Sequence, residues 1–321
     1  MTIAAALGDA ARAIRGSVQV ALACHVNPDG DALGSMLALH HVLRRHGIAS
    51  VASFSEPFVV APHYRELPGL DLLIPPGEFP DTPDVMVTFD CGSLRRLGDL
   101  ELAAKAAREL VVIDHHLSND RYGTINVIDE RAAASGVVVR ELVRTLGFEL
   151  DRDAAVCLYA ALVCDTGRFQ YESTTAEVFD LARELVEFDI PIPSLSRTLF
   201  EEHRFAYLQL LAAVLERAQL VLEQRFVWTV VTREDLDGFG VTMDEVEGLI
   251  DIVRRTREAE VTAVLKVDSD GSVRVSLRSL GDVDVCAIAQ SMGGGGHRFA
   301  AGFTAPGPPE AIIAQLRAAL P

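Results

Sequence analysis

The sequence has few basic residues for its length. Lysine and arginine account for 29 positions against 46 for aspartate and glutamate, so the 321-residue chain carries a formal net charge of −17. Proteins bind long DNA and RNA mainly through basic surface that displaces counterions. The composition therefore excludes long duplex nucleic acid as a partner. If the substrate is phosphorylated, we expect a small molecule that metal ions and a few arginine residues attract.

The chain also has no long apolar run and no patterned cysteines. Because no stretch of eighteen apolar residues occurs, we expect neither a membrane-spanning helix nor a membrane partner. The N-terminal segment MTIAAALGDAARAIRGS is typical of an amphipathic helix and lacks the basic start and long apolar core of a secretory signal. The five cysteines form no C-x-x-C pair. We therefore predict a cytoplasmic protein with reduced thiols.

The length and the 49% hydrophobic content allow two domains, each with its own core. Apolar runs alternate with helix-period segments, which predicts an α/β fold whose mostly parallel sheet is covered on both faces by helices. The segment DIPIPS has two prolines within four residues and indicates a domain break. We predict a larger domain over 1–188, a linker over 189–204 and a smaller α/β domain over 205–321.

Hydrophobic periodicity predicts the individual elements. In the first domain, apolar β-branched runs predict strands at 18–24, 49–54, 85–89, 110–113 and 125–128. Helices are predicted at 32–47, 99–108, 133–146, 152–163 and 175–187. Beyond the break, a long helical segment is predicted from 194 to 222, with strands at 226–232, 260–267 and 272–278 and helices near 242–257, 284–291 and 309–320.

Carboxylate and imidazole side chains follow four of these apolar elements. Ligands of open α/β sheets collect at the C-terminal ends of the strands. Carboxylates and imidazoles without thiolates favour Mn²⁺, Mg²⁺ or another hard-to-borderline divalent ion over structural zinc. The residues concerned are His25, Asp29 and Asp31 in HVNPDGD, Asp90 in VTFDCG, Asp114, His115 and His116 in VVIDHHLS, and Asp165 in VCDTGRF.

Several of these residues also have a purely structural interpretation. Asp31 is placed to cap the helix 32–47, and an aspartate such as Asp90 often ends a strand in a turn. Two adjacent histidines after an acidic residue are harder to explain as caps, and the carboxylate of Asp165, at the end of an apolar helix, needs a partner if it is buried. Together the residues predict a metal site, in which a shared carboxylate would hold two ions about 3.5–4 Å apart.

A second candidate site lies near the C-terminus, where Gly293 to Gly296 precede His297. Glycine lets backbone N–H groups turn towards one anion and leaves room for a phosphate, and a helix beginning near His297 would add its dipole. The alternative is a flexible hinge. Arg278 is our candidate for binding a terminal phosphate or base, and Arg298 is a lesser one, although an arginine on a strand is often only a solvated edge charge.

Five ordered motifs resemble those of a known family. The segments HVNPDGDALGS, VTFDCGS, DHH and CDTGRF resemble the four N-terminal motifs of the DHH phosphoesterases. The segment GGGGHRFAAG resembles the glycine-rich motif of the DHH-associated C-terminal domain. The resemblance covers essentially the whole chain. Within the family, the length of the chain and its glycine-rich motif are most similar to those of the nanoRNase/pAp-phosphatase branch. Manganese pyrophosphatases share only the first four motifs.

The resemblance implies roles for the motif residues. It implies two Mn²⁺ ions, with Mg²⁺ or Co²⁺ as alternatives, and a bridging role for Asp90. His116 is implied to face the scissile phosphate, and Asp114 to orient the histidines. The implied ligands are His25, Asp29 and Asp90 for one ion, and Asp31, Asp90, His115 and Asp165 for the other. The substrate is implied to lie in the cleft between the two domains and to be bound remotely by Gly294, Gly295, Gly296, His297 and Arg278, with Arg298 as a lesser candidate.

The resemblance also implies an activity. We expect a phosphoric ester hydrolase that cleaves short oligoribonucleotides such as pApA and 3′-phosphoadenosine 5′-phosphate (pAp) to nucleoside monophosphates, with cyclic di-AMP as a further substrate. The alternatives are a manganese-dependent pyrophosphatase or polyphosphatase and a non-catalytic nucleotide sensor. The family resemblance further implies a homodimer formed through the N-terminal domain.

Overall fold

A computed structural model describes residues 2–320 of the chain and divides it after Glu201 into two compact units. Residues 1 and 321, the outer ends of the two predicted domains, lie outside the described residues. The first unit is an α/β domain with a parallel sheet and the second a smaller domain with a mixed sheet. The predicted fold class is confirmed.

The first unit is built on five parallel strands in the order β2-β1-β3-β4-β5. The central strands are almost entirely buried because both of their faces are covered, as their continuous apolar sequences predict. The bounds are β1 Gln19–Cys24, β2 Ala49–Ser53, β3 Val85–Phe89, β4 Glu109–Asp114 and β5 Ile125–Ile128.

Helices cover both faces of this sheet. The larger core contains side chains of α1, α2, α4, α5, α6 and α7, while α3 and the 3-10 helix Leu94–Leu100 cover the opposite face. The bounds are α1 Ile3–Gly16, α2 Gly30–Arg45, α3 Glu101–Ala106, α4 Ser135–Thr145, α5 Arg152–Asp165, α6 Ala176–Val186 and α7 Ile192–Phe200. Three further 3-10 turns, Pro62–Tyr64, Leu70–Leu72 and Pro76–Glu78, lie between β2 and β3.

Strand register positions the motifs. Cys24 at the end of β1 lies opposite Phe89 of β3, and Phe89 lies opposite Ile113 of β4. The residues that follow, His25, Asp90 and Asp114, therefore leave three adjacent strands at the same sheet edge. This is the edge at which parallel α/β sheets bind ligands.

The second unit has a six-stranded sheet in the order β10-β11-β9-β8-β7-β6. Only β7 and β8 are parallel; the other neighbours are antiparallel. One face packs on α11 and α12, and the other on α8, α9 and α10. The bounds are α8 Phe205–Glu216, β6 Gln219–Val221, β7 Phe226–Val231, α9 Arg233–Phe239, α10 Ile250–Val253, β8 Val261–Val267, β9 Ser272–Ser279, α11 Val285–Ser291, β10 Gly295–His297, β11 Ala300–Pro306 and α12 Pro309–Ala319.

The structure corrects the prediction between the two domains. The segment predicted as the linker 189–204 contains α7, whose residues Leu195 and Leu199 are buried in the core of the first unit. Proline fits the first turn of a helix, where its missing N–H has no partner to lose, so DIPIPS begins a helix instead of breaking the fold. The long helix predicted from 194 to 222 is in fact α7, α8 and the edge strand β6.

Two predictions in the second unit also need correction. Most of the helix predicted near 242–257 is the 3-10 helix Asp244–Leu249 followed by the single turn α10. No helix begins near His297, which instead ends β10 in an antiparallel hairpin with β11. The anion site proposed there therefore gains nothing from a helix dipole.

None of the helices between residues 2 and 320 combines the length and the apolar character that crossing a bilayer requires.

Two glycines inside helices of the first unit provide a matched test of its packing. A Cβ at Gly34 in α2 would lie 2.4 Å from the Cys157 carbonyl oxygen of α5, whereas a Cβ at Gly8 in α1 would meet only the Arg12 guanidinium, at 3.6 Å. We expect Gly34→Ala to lower the free energy of unfolding by about 1–3 kcal/mol, because the two helices must separate. Gly8→Ala should raise it by up to about 1 kcal/mol through helix propensity. Urea unfolding measures both, and equal stabilities of the two variants would contradict the close approach of α2 and α5.

Candidate metal centre

His25, Asp29 and Asp90 form the first cluster. The Nε2 atom of His25 lies 3.8 Å from Asp29 Oδ2 and 3.5 Å from Asp90 Oδ2. The Nδ1 atom of His25 is 2.8 Å from the Val26 carbonyl oxygen, to which it donates as an N–H. Nε2 then faces the two carboxylates, and this buried atom has no hydrogen-bond partner. Such an orphaned imidazole nitrogen beside two carboxylates fits a metal ligand.

Asp31, His115 and Asp165 form the second cluster. Nε2 of His115 lies 3.0 Å from Asp165 Oδ2, 3.7 Å from Asp31 Oδ2 and 3.5 Å from Asp90 Oδ1. As in the first cluster, the histidine Nδ1 is close to a carbonyl oxygen, that of Ala132, at 3.0 Å. The two histidines are therefore oriented in the same way, each by a backbone carbonyl: that of the next residue for His25, and that of Ala132 in the loop between β5 and α4 for His115.

Asp90 belongs to both clusters. Its Oδ2 atom faces His25 and its Oδ1 atom faces His115. Asp90 has a left-handed backbone conformation, with φ of 53°, and its N–H donates to the Ile113 carbonyl oxygen at 3.0 Å. A non-glycine residue rarely adopts this conformation, which costs about 1 kcal/mol or more. The strained turn presents the carboxylate between the two groups of ligands.

The helices α2 and α5 bring the remaining carboxylates to this edge. Asp29 caps α2 through its Oδ1 atom, which accepts the N–H groups of Asp31 and Ala32, while its Oδ2 atom faces His25. The cap is therefore Asp29 and not Asp31, the residue that the structural interpretation of the sequence selected. A Cβ at Gly30 would lie 2.3 Å from Cys164 Sγ, so only glycine lets the start of α2 approach the end of α5.

Asp114 and His116 lie beside these clusters. Asp114 is fully buried, and its Oδ1 atom lies 2.7 Å from His116 Nδ1 and accepts the N–H of His115, also at 2.7 Å. His116 Nδ1 is 3.5 Å from Asp90 Oδ1. The carboxylate of Asp114 is thus used to hold the two histidines, and the side chain of His116 is only partly buried.

The concentration of negative charge shifts the pKa of several groups. Burial, together with the carboxylates of Asp90 and Asp165, raises the pKa of Asp31 well above its usual range. Burial lowers the pKa of His25 and Arg96 lowers it further, but Asp29 and Asp90 outweigh both and raise it to about 9. Burial raises the pKa of Asp90, but the neighbouring histidines outweigh burial and hold that pKa well below its usual range, which shows that cationic groups among the carboxylates stabilise their charge. Asp165, moreover, ends α5 at the negative end of its dipole, which is unfavourable for an anion.

Four residues of the site were not predicted from the sequence. The Ser135 and Gly136 N–H groups donate to Asp31 at 2.6 and 3.0 Å, and the Ser135 hydroxyl donates to Asp90 Oδ1 at 2.9 Å. The Ser35 hydroxyl also donates to Asp31, and Asn119 donates to Asp114. The first turn of α4 therefore points its free amides at the carboxylates. The only sequence signal was the run of small residues AASG at the start of a helix.

In the second unit, the hairpin of β10 and β11 explains two of the glycines. A Cβ at Gly294 would lie 2.1 Å from the Gly302 carbonyl oxygen, and a Cβ at Gly296 would lie 2.5 Å from that of Ala300. Gly296 also has a φ of +139°. Gly295, by contrast, has no neighbour within 4 Å of such a Cβ. Gly294 and Gly296 are thus required by the fold itself, and open space remains at Gly295.

The same sheet aligns His297 with Arg278. His297 lies opposite Ala300, and Ala300 lies opposite Arg278 on the next strand. Residues in such a row point to one face, two strand spacings or about 10 Å apart. Arg278 Nε is 3.6 Å from Asp251 Oδ1. Arg298 lies outside this row, in the turn between the two strands, and is exposed beside the Phe299 ring.

Comparison with known proteins gives matches over both units. The family model for the DHH family N-terminal domain matches residues 19–162, and that for the DHHA1 domain matches residues 223–320. The bifunctional oligoribonuclease and PAP phosphatase NrnA of Thermus thermophilus is 30% identical over 299 residues, which cover 92% of this chain and 86% of the relative. The protein of the same name from Bacillus subtilis is 28% identical, over 87% of this chain and 86% of the relative.

The fold is also found among solved structures. An exopolyphosphatase-related protein from Bacteroides fragilis superimposes with a TM-score of 0.88 and 22% identity, over 98% of this chain and 95% of its own. At this identity the similarity establishes the fold alone.

Substitution of Asp90 tests whether one carboxylate serves two ions. Because its two oxygens face different clusters, we expect Asp90→Ala to weaken Mn²⁺ binding by more than about tenfold, at least the effect of losing an outer-shell partner, with at least one ion lost per chain. Isothermal titration calorimetry and metal analysis measure both quantities. Asp180→Ala, which removes an exposed aspartate of α6, is the control. Two ions per chain bound with wild-type affinity in Asp90→Ala would contradict the shared site.

Proposed function

This chain belongs to the DHH family of phosphoesterases, and on that premise we propose that it hydrolyses short oligoribonucleotides, pApA among them, and pAp, releasing nucleoside monophosphates. The observation that carries the proposal is the position of Asp90, whose two carboxylate oxygens face two separate groups of ligands. The names of the relatives from Thermus thermophilus and Bacillus subtilis support the choice of substrates.

The proposed cofactor is a pair of Mn²⁺ ions. The donor set of imidazole and carboxylate without thiolate supports Mn²⁺, with Mg²⁺ or Co²⁺ as substitutes. We propose that His25, Asp29 and Asp90 hold one ion and that Asp31, Asp90, His115 and Asp165 hold the other. When bound, two such ions would supply a nucleophile at neutral pH and would stabilise negative charge on the reacting phosphate.

The protein's own side chains and backbone amides orient His116 and offset the negative charge of the carboxylates. Asp114 accepts a hydrogen bond from Nδ1 of His116, so that the other nitrogen, Nε2, is directed away from Asp114. We propose that Nε2 contacts the reacting phosphate and stabilises the charge that develops on its oxygens. The first-turn amides of α4 hold Asp31 in place and reduce the repulsion among the carboxylates.

The second unit is proposed to bind the part of the substrate remote from the reacting phosphate. Open space at Gly295 allows a phosphate to approach the backbone, and His297 and Arg278 lie on one face of the sheet. Gly294 and Gly296 support this site by forming the hairpin, and Arg298 remains a lesser candidate. The net charge of −17 favours short substrates over long polyanions.

A substrate panel with Mn²⁺ tests the proposal. We expect release of nucleoside monophosphate from pApA and pAp, and the panel should include cyclic di-AMP, on which we propose a further activity. Phosphate release from pyrophosphate or polyphosphate, without hydrolysis of the nucleotides, would replace the proposal by a pyrophosphatase or polyphosphatase. Nucleotide binding without any turnover would identify a sensor. We also propose that the protein acts in the cytoplasm as a homodimer, a state that analytical ultracentrifugation measures.

His116 is expected to act on the phosphate and not as a metal ligand. His116→Ala should retain two ions per chain and lose about a hundredfold or more in kcat on pApA, the effect of removing one donor that stabilises developing negative charge. Metal analysis and steady-state kinetics provide the two readouts. His40→Ala removes a buried histidine of α2 that is hydrogen-bonded to Ser50 of β2, and it controls for the loss of an imidazole elsewhere in the unit. Loss of metal from His116→Ala would show that His116 is the metal ligand and that His115 is the residue that contacts the phosphate.

His297 is expected to act on binding more than on the chemical step. His297→Ala should raise KM strongly for dinucleotides, with some loss of kcat, because remote binding energy also positions the phosphate. A small activated phosphodiester that extends only over the metal centre should be affected far less. The exposed Arg317→Ala in α12 is a control in the same unit. Equal losses of activity on both substrates would place His297 at the reacting phosphate. Unchanged activity on both would show that the glycine-rich segment forms a hairpin but does not bind substrate.

A further inference from the structure

Asn119 lies at the end of a tight turn that begins at His116. Its backbone N–H donates to the His116 carbonyl oxygen at 3.1 Å. Its side-chain Nδ2 donates to Asp114 Oδ2 at 2.5 Å and to the Cys91 carbonyl oxygen at 3.2 Å. Its Oδ1 atom accepts the N–H of Arg121 at 2.6 Å. One amide side chain thus joins the loop that carries His116 to the loop that follows Asp90.

The hydrogen bond to Asp114 fixes the orientation of a buried carboxylate. Asp114 Oδ1 is occupied by His116 Nδ1 and by the backbone N–H groups of His115 and His116, the latter at 3.2 Å. Oδ2 accepts from Asn119. With both oxygens bound, the carboxylate cannot rotate about its terminal bond without breaking hydrogen bonds inside the protein. A buried acceptor that loses its donor is left without the hydrogen bond that compensates its burial, so removal of the Asn119 donor favours a different orientation of the carboxylate.

We infer that Asn119 is a positioning residue for phosphate hydrolysis, holding Asp114 so that Asp114 in turn orients the imidazole of His116 towards the reacting phosphate. The inference rests on the proposed function, because it assigns Asn119 an effect on turnover through His116. It goes beyond that proposal because Asn119 is neither among the proposed metal ligands nor among the residues proposed to contact the substrate, and its side chain hydrogen-bonds to Asp114, Cys91 and Arg121.

An amide is the group that this position requires. Only an amide offers a donor to Asp114 and Cys91 and at the same time an acceptor to Arg121. Aspartate at this position would keep the acceptor, and therefore the turn, but would set a second carboxylate against Asp114. Asn119→Asp is therefore a sharper test than truncation, because it preserves the size of the side chain and the acceptor for Arg121 while it replaces the donor to Asp114 by a second carboxylate oxygen.

Tyr122→Phe is the matched control. The Tyr122 hydroxyl donates to the same Cys91 carbonyl oxygen, at 2.9 Å, but has no hydrogen bond to Asp114. Loss of this hydroxyl disturbs the same loop junction without changing the donor to Asp114. If anchoring the loop to Cys91 is what matters, the two variants should behave alike. If orientation of Asp114 matters, only Asn119→Asp should affect turnover.

The kinetic experiment uses the full chain with Mn²⁺ and pApA. We expect Asn119→Asp to lower kcat about tenfold to a hundredfold, the usual effect of an outer-shell partner, with two ions per chain and a KM near that of the wild type. Tyr122→Phe should retain wild-type kcat. In a His116→Ala background, Asn119→Asp should cause no further loss, because the interaction through which it acts is already absent. Additive losses in the double variant, or equal losses in Asn119→Asp and Tyr122→Phe, would overturn the inference.

A second measurement does not depend on turnover. The hydrogen-bonded proton on His116 Nδ1, observed by ¹H–¹⁵N NMR, should be present in the wild type and in Tyr122→Phe and be lost or shifted in Asn119→Asp. An unchanged resonance in Asn119→Asp would overturn the inference. If the wild type hydrolyses none of the substrates while the NMR result is as expected, the proposed function fails and the positioning of His116 by Asn119 stands.

Discussion

Repulsion among the carboxylates at one edge of the parallel sheet is the interaction on which the rest of the first unit depends. Asp29, Asp31, Asp90 and Asp165 converge there from two loops and two helices, and burial increases the cost of the charges on Asp31 and Asp90. Hydrogen-bond donors offset part of that cost, among them the first-turn amides of α4, which donate to Asp31. The carboxylates raise the pKa of His25 to about 9, so protonated imidazole would offset part of the negative charge, and divalent cations bound by the same residues would offset the rest.

The sequence predicted the first unit well because its signals are local. Strands β3 and β5 were predicted at their observed bounds, since continuous apolar runs end abruptly at polar residues. The convergence of the motifs followed from a general rule for parallel sheets. Ser135 and Asn119 were missed because their roles depend on which loops lie next to one another. A serine at the start of a helix and an asparagine in a turn are common for local reasons.

The second unit was predicted less well for a different physical reason. Strands β10 and β11 contain glycine and alanine where strands usually carry branched side chains, so no alternation of apolar and polar residues is visible. The glycines were interpreted as an anion-binding loop, but two of them are required because neighbouring backbones approach too closely for a side chain. The prolines of DIPIPS led to a wrong prediction of a domain break, because proline is common both after the end of a helix and in the first turn of one.

The order in which the ligands occur along the chain has a further consequence. His25 and Asp165 come from opposite ends of the first unit's sequence, with Asp90 and His115 between them. Two ions that share Asp90 would together cross-link these distant segments. Folding and ion binding would then be thermodynamically linked, and each tenfold rise in free ion concentration above the dissociation constant would add about 1.4 kcal/mol to the stability of this unit for each ion bound. Chelators would consequently act on this unit as denaturants, in addition to acting as inhibitors.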